Sequence, residues 1–250
     1  MPGFVSHTVM AKDVCNKLNN KHVNFDYMVT YSLGGDLCKY AKCRYDSHHK
    51  DMDKFIYDMA DYIKDNNLIN DKKVMGVLYG HICHYIMDKT IHPLVRIVDK
   101  SCIKNKHNHT LIEVYFDNYL VNYRYHISKQ EYLKKGILKT KSNDKINRMI
   151  DCRDVYNTNS VSRYYRFNLF LYKMLKNIYI FSGDKLTNKL MELDKFISSN
   201  KNIDLVNLSN EIKYKDSLRN VCNDDLDTLY DISIEEACEY IKNINKYLGL

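Results

Sequence analysis

Two prolines and eight glycines are all the strong backbone breakers in 250 residues, and this scarcity constrains the fold more than any other feature. Proline lacks a backbone donor and glycine loosens regular structure, so so few of them imply long uninterrupted elements. The apolar residues recur at helical rather than alternating spacing. Phe55, Ile56, Met59, Tyr62 and Ile63 form the buried stripe of a helix expected from about 51 to 66. A second, from about 72 to 91, is expected to stop near Pro93, because the residue before a proline resists the α region. A third spans about 109 to 125, with Leu111, Ile112, Tyr115, Phe116 and Tyr119 inward. Met10, Ala11, Val14, Cys15 and Leu18 mark a helix just after His7. Others are expected at 162–180 and 184–198, and a last one at 233–247, opened by the capping box Ser233-x-x-Glu236. The polar stretches 138–160 and 199–224 read as loops. No internal repeat and no inter-domain linker is visible. The expectation is an all-α, single-domain helical bundle over residues 1–250.

A chain of this length buries a substantial core unaided, so a metal is not required as a folding staple. The net charge of +7 admits nucleic acid or anionic lipid as partners. No run of five or more Lys and Arg occurs, however, and the charge reads as solvated helix faces. The eight cysteines, at 15, 38, 43, 83, 102, 152, 222 and 238, contain no C-x-x-C pair and read as reduced thiols. The first seven residues lack the basic and apolar regions of a signal peptide. No apolar run approaches the ~20 residues of a membrane span. A cytoplasmic location without a transmembrane segment is therefore expected.

Nine of the ten histidines lie between positions 7 and 109. Histidine, aspartate and glutamate are the usual ligands of hydrolytic zinc. His81, His84, Asp88 and His92 recur at helical spacing, and an uninterrupted helix gathers all four within an arc of roughly 80°. The next helix offers His109 and Glu113, again one turn apart. Taken singly, each pair is an ordinary helix-surface pair. The apolar Tyr85-Ile86-Met87 between His84 and Asp88 argues otherwise, since buried unpaired polar groups are costly. Two such helices packed together converge five ligands, His84, Asp88, His92, His109 and Glu113, on one region. His81 reads as a core or supporting residue, His107 as a solvated loop residue, and His22 and His126 as structural. The aromatic run from Tyr164-Tyr165 to Phe170 reads as core packing.

The string Gly80-His81-Ile82-Cys83-His84-Tyr85-Ile86-Met87-Asp88-Lys89-Thr90-Ile91-His92-Pro93 resembles the signature of the zinc-dependent phospholipase C family, Gly-x-x-x-His-Tyr-x-x-Asp-x-x-x-His-Pro. His109-Thr110-Leu111-Ile112-Glu113 is similar to the His-x-x-x-Glu that follows it in that family. The family's N-terminal histidine matches His7, its Gly-x-Asp matches Gly34-Gly35-Asp36, and a further histidine matches His48 or His49. The segment from Asp225 to Asp231 resembles the closing stretch of bacterial phospholipase C-like proteins. More distantly, the fold is shared with trinuclear-zinc single-strand nucleases. The resemblance implies that Asp36, His48, His84 and Asp88 hold a first zinc, and that His92, His109 and Glu113 hold a second. It further implies that His7 holds a third, with Asp88 bridging. Secreted relatives complete the third site with a mature N-terminal residue. This chain opens Met1-Pro2 with no signal peptide, so two or three zinc ions are expected.

The activity so implied is phosphodiester hydrolysis. A zinc-bound water with its pKa lowered to about 7 attacks phosphorus, and Asp36 positions or deprotonates it. Three readings compete. The first is a phospholipase C-like enzyme acting on phospholipid or another phosphodiester. The second is a nuclease or nucleotidase on the same scaffold, with single-stranded nucleic acid as partner. The third is a non-enzymatic, metal-stabilised relative, and Asp36 argues against it because purely structural binding does not need that residue.

Overall fold

The structure is a computed structural model. It describes residues 3–19, 22–38, 52–102, 108–135, 138, 144–150 and 226–250, with helical positions between 166 and 180. The described residues form helices and turns and no strand. In chain order the helices are α1 (Phe4–Leu18), α2 (Phe25–Tyr31), α3 (Met52–Asp65), α4 (Lys72–Cys102), α5 (Asn108–Tyr125), α6 (Lys129–Lys134), α7 (Asp144–Ile150) and α8 (Leu226–Leu248), with a 3-10 turn at Gly34–Cys38 after α2. The expected helical bundle is thus observed.

Side-chain caps set several boundaries. Asn24 Oδ1 accepts from Tyr27 N at 3.2 Å and opens α2. Asp71 Oδ1 accepts from the amides of Lys73 and Val74 and opens α4. Ser128 Oγ accepts from Glu131 N and opens α6. Each satisfies amides that the first turn of a helix cannot pair internally.

Helix α4 is the axis of the fold, with α1, α2, α3, α5 and α8 packed against it. Every residue from 74 to 84 is buried, as a helix enclosed by neighbours requires. Gly76 and Gly80, one turn apart, let the α2 backbone lie directly on α4. A Cβ at Gly76 would sit 2.6 Å from the Asn24 carbonyl oxygen, and one at Gly80 2.6 Å from the Tyr31 carbonyl carbon. The stripe expected on α3 is buried at Phe55, Ile56, Met59 and Ile63. Each such side chain contributes roughly 1.5–3 kcal/mol by leaving water.

The structure departs from the sequence reading at several points. Helix α4 does not stop near Pro93 but runs through it to Cys102. The proline forfeits one main-chain hydrogen bond, and Ile91, Leu94 and Val95, all buried, hold the helix on either side. Helix α1 begins at Phe4, so His7 lies inside it rather than before it. Helix α8 begins at Leu226, seven residues before the expected cap. Ser233 is in its interior, where its Oγ donates to the Tyr230 carbonyl at 2.6 Å, and Leu226, Leu229 and Tyr230 extend the buried stripe N-terminally. The expected loop 138–160 contains α7, whose Ile146, Met149 and Ile150 are buried. Phe167 and Phe170 are exposed, against the expectation of core packing, while Leu169 between them is buried. The helix expected at 184–198 and the loop at 199–224 lie outside the described residues.

Candidate metal centre

The packing of α2 on α4 carries the chain from Tyr31 through Gly34 past the side of His84. Gly34 has φ +42, and a Cβ there would lie 2.5 Å from His84 Cγ, so only glycine allows this close passage. The 3-10 turn then delivers Asp36, whose amide donates to the Leu33 carbonyl at 2.9 Å. Helix α1 brings His7 from a third direction. The rings of His7 and His84 stack with centroids 4.3 Å apart. One ligand atom from each of His7, Asp36 and His84 lies within 4.8 Å of the others, and all three residues are buried.

Asp88, one helical turn beyond His84, completes the arrangement. Its Oδ1 lies 3.4 Å from His7 Nε2, and its Oδ2 lies 3.5 Å from His84 Nε2. One carboxylate thus presents an oxygen to each imidazole. Burial alone would push the Asp88 carboxyl up. In the metal-free, protonated state the charge of His84, with the hydrogen bond and charge of His7, outweighs that and holds it well below the usual carboxylate range.

The tautomer of His84 follows from its other nitrogen. Nδ1 lies 3.1 Å from the Ser32 carbonyl oxygen, which can only accept, so Nδ1 carries the hydrogen. In the neutral ring Nε2 then bears a lone pair facing a carboxylate oxygen. Two lone pairs at that distance repel unless a cation lies between them. Donors around tetrahedral zinc are about 3.3 Å apart at the usual bond lengths, close to the two nitrogen–oxygen separations here. The residues therefore fit a zinc ion, and the Ser32 carbonyl is the orienting partner that metal-bound histidines usually have. Sequence reading missed it, because a main-chain carbonyl has no side-chain signature.

The remaining sequence candidates fall into two groups. His92 is half-buried on α4, one turn beyond Asp88, and Glu113 is half-buried on α5, which packs on α4. His109 lies in the first turn of α5, and its side chain is outside the described residues, as are His48 and His49 altogether. The structure therefore brings His7, Asp36, His84 and Asp88 together. His81 does not join them. It is fully buried, hydrogen-bonds the Val77 carbonyl through Nδ1 at 2.9 Å, stacks on Tyr31 and meets Phe55 at a tilt. Burial pushes its pKa down to about 4, so it is a neutral core residue. His126 ends α5 in the left-handed conformation, φ 52, and is structural.

The chain matches the family model described as zinc dependent phospholipase C over residues 6–166, well over half its length. It belongs to that family. No curated protein and no solved structure matches it. The matched span contains every candidate ligand from His7 to Glu113. Membership indicates zinc dependence and a hydrolase of the phospholipase C type, in keeping with the all-helical fold. No helix among the described residues is long and apolar enough to cross a membrane.

Proposed function

We propose that the chain is a single-domain zinc-dependent phosphodiesterase over residues 1–250, acting on phospholipid or a related phosphodiester. The observation that carries this reading is the convergence of His7, Asp36 and His84 within 4.8 Å, with Asp88 addressing both imidazoles. Asp36, His84 and Asp88, with His48, would hold one zinc. His7 and Asp88 would contribute to a neighbouring one, and His92, His109 and Glu113 to another, giving two or three ions per chain. Bound zinc supplies charge neutralisation at phosphorus and a water nucleophile near neutral pH.

The chain's own residues prepare that chemistry. The Ser32 carbonyl fixes the His84 ring with Nε2 inward. Asp88 is ionised before metal binds, because His84 and His7 outweigh the burial that opposes it. Asp36, buried and held on a tight turn, would accept a proton from the attacking water. A cytoplasmic location is part of the same reading, supported by the free thiols of Cys15, Cys83 and Cys238.

The discriminating experiment is a turnover panel on purified, zinc-loaded protein with a phosphocholine ester, a generic phosphodiester and single-stranded DNA. Preferential cleavage of the phosphocholine ester supports the phospholipase reading, and preferential cleavage of DNA replaces it with a nuclease. No turnover on any of the three, with zinc bound, would leave a metal-stabilised protein without this activity.

A further inference from the structure

Helix α1 has Gly3 at its N-cap, which makes no side-chain cap hydrogen bond of its own. The amides of its first turn nevertheless find a partner in Asp117, 111 residues away on α5. Asp117 Oδ1 accepts from Ser6 N at 2.7 Å and from Ser6 Oγ at 2.6 Å, and Oδ2 accepts from Val5 N at 3.4 Å. Lys129 Nζ donates to Oδ2 at 3.0 Å, and both members of that ion pair are buried. The approach is close enough to exclude a side chain at position 3, where a Cβ would lie 2.3 Å from Asp117 Oδ2. Anionic groups at a helix N-terminus are stabilised by its exposed amides and dipole. His7 follows Ser6 directly and is fully buried. Asp117 also lies one helical turn beyond Glu113 on the same helix.

We propose that Asp117 is the positioning residue for His7: a cap supplied from α5 that locks the first turn of α1 and sets the His7 ring against Asp88 and His84. One helix would thereby carry a candidate ligand, Glu113, and the anchor of another, His7. Four donors surround the carboxylate, two at each oxygen. An amide therefore cannot replace it, because either orientation of asparagine sets an NH2 group against donors. Zinc affinity enters this proposal through the metal reading above, whereas the placement of His7 does not depend on it.

The test uses the full chain and two independent readouts. Metal-free wild type, Asp117→Asn, Gly3→Ala and Lys129→Met are treated with diethyl pyrocarbonate, and modification of His7, His81 and His84 is followed by mass spectrometry. Zinc affinity is measured separately by competition with a chromophoric chelator. Asp117→Asn and Gly3→Ala should raise His7 modification about 5-fold or more through local opening of the first turn, with His81 and His84 still protected. Both should weaken zinc binding by roughly 10–100-fold, the usual effect of removing a partner that orients a ligand. Lys129→Met keeps the carboxylate and its bonds to α1, and His7 should stay protected. Equal rises at all three histidines, or no rise at His7, would overturn the proposal, as would release of His7 in Lys129→Met. If wild type binds no zinc, the metal reading fails, and His7 labelling still decides the role of Asp117.

Discussion

Replacing Gly34 by alanine probes the site without touching a candidate ligand. The added Cβ would sit 2.5 Å from His84 Cγ, 2.6 Å from its Cβ and 2.7 Å from its Cδ2. Ordinary carbon contacts lie at about 3.5–4.0 Å, so the imidazole or the turn must retreat by about 1 Å. The left-handed backbone at φ +42 adds about 1–2 kcal/mol for any residue with a Cβ, and overpacking a filled interior adds about 1–3 kcal/mol. Urea unfolding of the metal-free protein should therefore show Gly34→Ala less stable by about 2–5 kcal/mol. Catalytic and binding groups tolerate displacements of only about 0.5 Å, so zinc affinity should also fall by 10-fold or more, in the range of lost ligand orientation. Gly249→Ala is the control. Its φ is +82, with no heavy atom within 4 Å of the added carbon, so it carries the backbone strain alone and should leave zinc binding intact. Wild-type stability and zinc affinity in Gly34→Ala would refute the idea that this turn is pressed against His84.

Three further outcomes are expected. Asp36→Asn retains the shape and one coordinating oxygen but loses basicity. Phosphodiester turnover should drop by about 100-fold or more while zinc content and melting temperature change little, and early melting with zinc loss would instead mark a structural aspartate. His81 stays neutral down to a pKa of about 4, against an ordinary value of 6.5. The unfolded chain gains a proton at this residue as pH falls below 6.5 and the folded chain does not. Stability should therefore decline by on the order of 2–3 kcal/mol between those values and level off below about 4. His81→Phe, keeping a ring near Tyr31 and Phe55, should remove that part of the decline in metal-free urea titrations, and an unchanged pH profile would count against it. Elemental analysis should find His84→Ala depleted in a different zinc site from His109→Ala, so the double variant should lose more zinc than either alone.

Much of the fold was legible because it is written in local spacing. The α3 stripe from Phe55 to Ile63 repeats every turn, and so do His84 and Asp88 on α4. Local rules failed where distant packing overrode them. Pro93 does not end α4, because Ile91, Leu94 and Val95 are buried around it. Ser233 has the spacing of a cap, but Leu226, Leu229 and Tyr230 carry the helix past it. At the site, the place of His7 and Asp36 beside His84 is not encoded in any window of sequence. It depends on Gly76 and Gly80 letting α2 settle on α4 and on the turn at Gly34. Resemblance to the family's motifs named both residues; spacing could not. Asp117 was missed because its partners, Ser6 and Lys129, lie on other elements, although its place one turn beyond Glu113 was a usable signal.

The central claim is most directly tested by titrating zinc into the metal-free protein while following hydrolysis of a phosphocholine ester and a generic phosphodiester. Bound zinc should saturate at two or three ions per chain, as the separate ligand sets require, with turnover appearing only as those sites fill. Fewer than one zinc per chain with zinc in excess, or a fully loaded protein that cleaves neither ester, would contradict it.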